Sequence, residues 1–155
     1  MEELNMNFFE SLNEKANKDG IVKRIAGGII YNNEGKILLL KRRADDFMGG
    51  IYELPSGNLE GDETIKEGLI REINEETGLN TKRIGKFVNT FDYLSGSGKK
   101  SRQFNLEVEV ECTENVFLTE HDDYKWMTYD EIESDENITD EVKYAVVISK
   151  YNKEQ

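Results

Sequence analysis

Three carboxylates, Glu72, Glu75 and Glu76, sit at spacings of three and four in the segment GNLEGDETIKEGLIREINEETGL, residues 57–79. On a helix of about 100° per residue, Glu72 and Glu76 fall near −20° and +20° of a stripe formed by Ile65, Leu69 and Ile73, and Glu75 falls near −80°. Like charges this close repel by about 0.2–0.5 kcal/mol per pair on an exposed helix, and by more where burial removes water. Arg71, near −120°, can pair with Glu67 or Glu75, four residues away on either side, but leaves Glu72 and Glu76 without a partner. Oxygen donors suit a hard divalent cation, so the spacing points to Mg²⁺, with Mn²⁺ as a substitute. A plain solvated acidic face is the alternative reading of the same residues.

The elements that must position these groups are also legible. Asp62 is a good N-cap candidate, Glu63 and Glu67 suit the positive end of the helix dipole, and Gly78 is placed for a left-handed C-terminal stop. A helix from about 63 to 77 follows. Before it, a short strand over 51–54 leads into Pro55, Ser56 and Gly57, where chain geometry turns to that of a loop. A backbone carbonyl at Gly57 could reach the cation. Gly68, in mid-helix, costs about 1 kcal/mol relative to Ala, which implies close packing, taken here to be against a sheet.

The wider layout reads as one helix over 3–17, with Leu4, Phe8 and Leu12 at spacing four, and then a mixed set of strands and helices. Strands over 22–31 and 36–41 flank Asn32-Asn33-Glu34-Gly35, and strands over 83–94 and 101–111 flank Ser95-Gly96-Ser97-Gly98, both hairpin-like by composition. A short strand over 125–128, a brief helix over 129–134 and a terminal helix over 140–151 complete the chain. The last helix should turn Val142, Ala145, Val146 and Ser149 inward. Residues 1–20 read as an N-terminal helical extension and 21–155 as a single domain.

Composition narrows the function. The 155 residues carry a net charge of −12, which argues against binding a nucleic-acid polymer or an anionic membrane, since both need phosphate-neutralising Lys and Arg. Cys112 is the only cysteine, so no internal disulfide can form and a reducing cytoplasm is the expected location. The start, MEELNMNFF, lacks a basic, then apolar, signal peptide, and no apolar run approaches a membrane span of about 20 residues.

The segment from Gly57 to Leu79 resembles the signature of the Nudix hydrolases: Gly, five residues, Glu, seven residues, Arg-Glu-apolar, one residue, Glu-Glu, one residue, Gly-apolar. Gly57, Glu63, Arg71, Glu72, Ile73, Glu75, Glu76, Gly78 and Leu79 fill every fixed position; Ser56 stands where the family usually has a second Gly. The resemblance implies an α/β fold, an α/β/α sandwich with a mixed β-sheet, and hydrolysis of a nucleoside diphosphate linked to another group. It implies metal ligation by Glu72, Glu75 and Glu76, aided by the Gly57 carbonyl, with Arg71 and Glu63 orienting them. Glu120, six residues before Trp126, resembles a further ligand outside the signature, and Glu72 or Glu120 would be the general base. An arginine near the end of the second strand resembles a phosphate contact, here Arg43, while Lys99, Lys100 and Arg102 could steer anions. His121 reads as a loop residue. Tyr93, Trp126 and Asp140 are candidates for contacting a base.

No subfamily motif for coenzyme A or NADH is present, and Pro55 is the only proline, so the downstream proline of many ADP-ribose pyrophosphatases is missing. By elimination the expected substrate is a nucleoside triphosphate, including oxidised dGTP, cleaved to monophosphate and pyrophosphate by a monomer or homodimer. ADP-ribose or a nucleotide sugar is the alternative, and a non-catalytic nucleotide-binding module is an alternative of another class.

Overall fold

A computed structural model of the protein describes the backbone of residues 2–155 and the side chains of 8–155. Its helices are α1 (Glu2–Lys18), α2 (Ile65–Thr77), α3 (Tyr129–Ser134) and α4 (Asp140–Lys153). Its strands are β1 (Lys23–Ile30), β2 (Ile37–Arg42), β3 (Tyr52–Glu53), β4 (Ser56–Asn58), β5 (Thr81–Leu94), β6 (Lys100–Val110) and β7 (His121–Met127). One mixed sheet runs β4-β1-β6-β5, with β1 parallel to β6 and the other pairs antiparallel; a second, antiparallel sheet runs β3-β2-β7.

Strand periodicity explains the three layers. In β2, Leu38 and Leu40 enter the core beneath α1 and α2, while Ile37 and Leu39 enter the core beneath α3 and α4. Successive side chains leave a strand on opposite faces, so a strand covered by helices on both sides must be apolar throughout. Ile65, Leu69 and Ile73 of α2 are fully buried against the first core, and Val142, Ala145, Val146 and Ser149 of α4 are buried on the other side. The two helical stripes therefore lie as the sequence implies.

Several local expectations change. Thr64, not Asp62, caps α2, in a reciprocal box with Glu67, so Glu63 lies outside the helix. The competing signal was Thr-x-x-Glu, which satisfies two terminal N–H groups where a lone Asp satisfies one. Gly78 ends α2 in the left-handed conformation at φ 74°. A Cβ at Gly68 would overlap Leu59, in the loop after β4, so the close packing is against that loop rather than a sheet. Residues 56–58 are not free loop but form β4, paired with β1. The strands around Asn32–Gly35 meet only through the Tyr31–Ile37 bridge and then part into different sheets. The strand expected over 125–128 begins at His121, so His121 is not a loop residue.

The N-terminal helix is seated on the mixed sheet. Phe9 and Ala16 are buried in the first core, and Phe9 meets Phe87 edge to face. Leu4 of the expected stripe lies outside the described side chains. Lys100 Nζ donates to the Asp19 carbonyl at 2.8 Å, and Arg102 binds both Asp92 and Asp19. Lys100 and Arg102 thus fasten the helix end to the β5–β6 hairpin instead of standing free to steer anions. No described helix is long and apolar enough to cross a membrane.

Candidate active site

The cleft between α2, β4 and the start of β7 has a volume of about 510 Å³. Asp46, Glu53, Glu60, Glu72, Glu75, Glu76 and Glu120 line it, with Lys23 and Arg42 as the lining cations. Five of the expected residues, Gly57, Glu72, Glu75, Glu76 and Glu120, are thereby brought to one cleft, and Tyr93 lines it from β5.

Arg71 organises the outer end. Its Nε and Nη2 donate to Glu63 at 2.6 and 2.9 Å, its Nη1 to Glu72 Oε1 at 2.8 Å and Glu75 Oε2 at 3.0 Å, and its Nη2 also to the Asn58 carbonyl. The expected partner Glu67 is absent because its carboxylate accepts from Thr64 N–H in the cap. This guanidinium holds the Glu63 carboxyl down to about 2, and Glu63 in turn holds Arg71 firmly charged. Glu72 is therefore not left alone as the helical angles imply; a flexible Arg one residue earlier reaches it. Burial nonetheless pushes the Glu72 carboxyl above its ordinary range, against the opposing pull of Arg71.

Glu76 occupies the inner end, 7% exposed. Burial, followed by the repulsion of Glu53, Glu72 and Glu120, pushes its carboxyl up to about 9, and the N–H of Ser56, donating to Oε1 at 2.8 Å, offsets only part of that. A Cβ at Gly57 would overlap the Glu72 carboxyl, so glycine there leaves the room Glu72 occupies against the strand.

These features fit a divalent cation: the donors are carboxylate and carbonyl oxygens, and among the described residues the buried Glu76 carboxyl has no basic group within hydrogen-bond distance, the His121 imidazole standing 4.0 Å away. Among the described residues no three His, Cys, Asp or Glu side chains are already gathered at ligand spacing. Arg71 explains this for Glu72 and Glu75, whose carboxylates it holds to itself.

Other expected residues lie elsewhere. Arg43 donates to the Thr119 carbonyl at 3.1 Å and does not line the cleft; its neighbour Arg42 does, binding Glu53 at 2.8 Å. Trp126 packs on the first core. Asp140 opens α4 behind its cap Thr139, and Thr139 and Glu141, rather than Asp140, line a second cleft. That cleft, about 190 Å³, is walled by Phe47, Met48, Leu54, Phe91, Tyr93 and Val142 and shares Arg42, Phe47, Glu53, Ser56 and Tyr93 with the acidic one.

Gln103, buried beside this second cleft, donates through Nε2 to Asn105 Oδ1 at 2.8 Å. The sequence held a signal for it: Ser101, Gln103 and Asn105 alternate with Phe104 and Leu106 along β6, and all three polar residues are buried. A polar stripe on an inward strand face needs partners or a ligand. Arg42 and Glu53 had no comparable signal, since their pairing depends on β2 and β3 lying side by side.

The model of the NUDIX domain family matches residues 22–147. An 8-oxo-dGTP diphosphatase of Escherichia coli (strain K12) is 36% identical over 64 residues, covering 41% of this chain and 50% of the relative. An ADP-ribose pyrophosphatase of Methanocaldococcus jannaschii is 48% identical over 50 residues, 32% of this chain and 29% of that one. The match thus spans half or less of the length of these curated relatives. Among solved structures, the MutT protein from Methanosarcina mazei Go1 superposes with a TM-score of 0.70 at 26% identity, over 85% of this chain and 94% of that one.

Proposed function

The chain belongs to the Nudix family, whose hydrolases generally use divalent metal ions, and on that premise we propose that it hydrolyses a diphosphate bond in a nucleoside diphosphate linked to another group, with Mg²⁺ as its ion. The first substrate class is a nucleoside triphosphate, oxidised dGTP included, giving monophosphate and pyrophosphate. ADP-ribose or a nucleotide sugar is the second, favoured by the pyrophosphatase likeness. The observation that carries this reading is the junction of two unlike clefts. An acidic cleft suited to metal and phosphate opens into an apolar one suited to a flat base, and Tyr93 lines both.

Glu72, Glu75, Glu76, Glu120 and the Gly57 carbonyl would hold the ion. When bound, it neutralises phosphate oxygens and lowers the pKa of an attacking water. Arg71 holds Glu72 by Oε1, which leaves Oε2, lying against Gly57, to take the proton of the water. Burial raises the basicity of that carboxylate, as a general base needs. Glu120 is the second choice for the same proton. Glu63 keeps Arg71 in place and Ser56 N–H fixes Glu76. Tyr93 and Phe91 offer faces for the base. In this reading residues 21–155 carry the chemistry, and the N-terminal extension packs through Phe9 and Ala16 on the core that it shares with α2.

A hydrolysis panel in Mg²⁺, covering nucleoside triphosphates, ADP-ribose, nucleotide sugars and dinucleoside polyphosphates with products identified, tests the choice. Triphosphates turned over best support it. ADP-ribose cleaved a hundredfold faster would move the assignment to the second class, and no turnover of any member would remove the activity.

A further inference from the structure

His121 lies where the acidic cleft meets the interior, with 6% of its side chain exposed. One ring edge is anchored. Nε2 is 2.9 Å from Glu53 Oε2, Glu53 Oε1 accepts from Arg42 Nε at 2.8 Å, and Arg42 Nη1 donates to the Phe47 carbonyl at 2.7 Å. The other edge is not. Nδ1 is buried without a hydrogen-bond partner and faces Glu76 Oε2 across 4.0 Å.

A buried polar atom with no partner is costly, and few persist without a use. Hydrogen bonds of catalytic groups are commonly long before the ligand binds and tighten afterwards. Here a shift of about 1 Å between the two side chains is enough to reach hydrogen-bond distance. The opposite oxygen, Oε1, is already taken by Ser56 N–H. A contact from Nδ1 would therefore complete the fixing of the carboxylate from both of its oxygens.

We propose that His121 is a positioning residue for Glu76: Nδ1 and Oε2 share one proton in a hydrogen bond, and Glu53 and Arg42 hold the ring so that Nδ1 points there. The inference rests on reading the cleft as a divalent-cation site. Partners that orient metal-binding groups in this way alter metal affinity by about 10- to 100-fold when removed. Burial and the Glu53 bond alone would make His121 only a structural link between β3 and β7, and the two roles use different ring atoms.

Two substitutions separate them. In His121→Asn the side-chain amide nitrogen can take the place of Nδ1 but cannot reach Glu53; in His121→Gln it takes the place of Nε2 and loses Glu76. The full chain is titrated with Mn²⁺, reading free ion by electron paramagnetic resonance, and melted separately in EDTA to report folding. His121→Gln is expected to weaken Mn²⁺ binding by about tenfold or more, while His121→Asn stays within about threefold of wild type on the same scale. If His121→Gln is unfolded in EDTA, His121→Met replaces it with the same expectation. Wild-type affinity in His121→Gln, or a loss in His121→Asn as large as in His121→Gln, overturns the positioning role. Wild type that binds no Mn²⁺ overturns the metal reading of the cleft instead, so the two failures are told apart.

Discussion

The two ends of the acidic cleft solve the same electrostatic problem differently. At the outer end Arg71 touches Glu63, Glu72 and Glu75, and Glu63 is held down to about 2. At the inner end Glu76 has no basic partner among the described residues except the imidazole at 4.0 Å, and its carboxyl is pushed up to about 9. The carboxylates are chemically alike. What differs is the guanidinium and the water: Arg71 serves only the outer end, and Glu75 there keeps 57% of its side-chain exposure where Glu76 keeps 10%. Burial, rather than the number of acids, therefore decides where a bound cation is most needed.

The largest effect should come from the inner end. Glu76→Gln is expected to reduce Mg²⁺ affinity and turnover by about 100-fold or more, and Glu75→Gln by less, because Glu75 is solvated and shared with Arg71. Calorimetry and initial rates on the two variants rank them, and equal losses would erase the distinction between the ends. Stability without metal should move the other way. The folded carboxyl near 9 lies above its ordinary 4.5, so its contribution is fully present below about pH 4.5 and is lost as pH rises towards 9. Glu76→Gln should flatten that decline in thermal melts with EDTA, and added Mg²⁺ should offset it in wild type.

Gly57→Ala comes next. Its Cβ would overlap the Glu72 carboxyl, so turnover is expected to fall by about 10- to 100-fold with little change in melting temperature. Arg71→Lys, at the outer end, loses the forked contact to Glu63 and is expected to cost about 1 kcal/mol in urea unfolding, a small figure because the pairs are partly solvated. The smallest effect is Gly68→Ala. A gain in helix propensity of up to about 1 kcal/mol is set against displacement of the Leu59 side chain, so the unfolding midpoint should stay close to wild type.

The same contrast marks how far the sequence could be read. The signature segment carries its own geometry: the apolar spacing of Ile65, Leu69 and Ile73 fixes the buried face of α2, and the glutamates follow from it at known angles. Even there, Thr64 displaced Asp62 as the cap, because two reciprocal bonds outweigh one. Residues whose role depends on distant strands were less legible. The sequence points to Arg43 and not Arg42, since a strand end does not show which arginine faces Glu53 until β2 lies beside β3. His121 looks like a loop residue in the sequence because β7 begins four residues earlier than its apolar content indicates, held by pairing to β2. The parting of β1 and β2 into two sheets had no local signal, as the turn between them has ordinary hairpin composition.

In the proposed function this cleft, through its buried inner carboxylate, breaks a diphosphate bond with a bound metal ion. Phosphorus NMR of a nucleoside triphosphate incubated with Mg²⁺ and either wild type or Glu76→Gln tests it most directly. The expected result is monophosphate and pyrophosphate as the first products of wild type, with the rate in Glu76→Gln lower by about 100-fold or more. Orthophosphate as the first product, or an undiminished rate in Glu76→Gln, would contradict it.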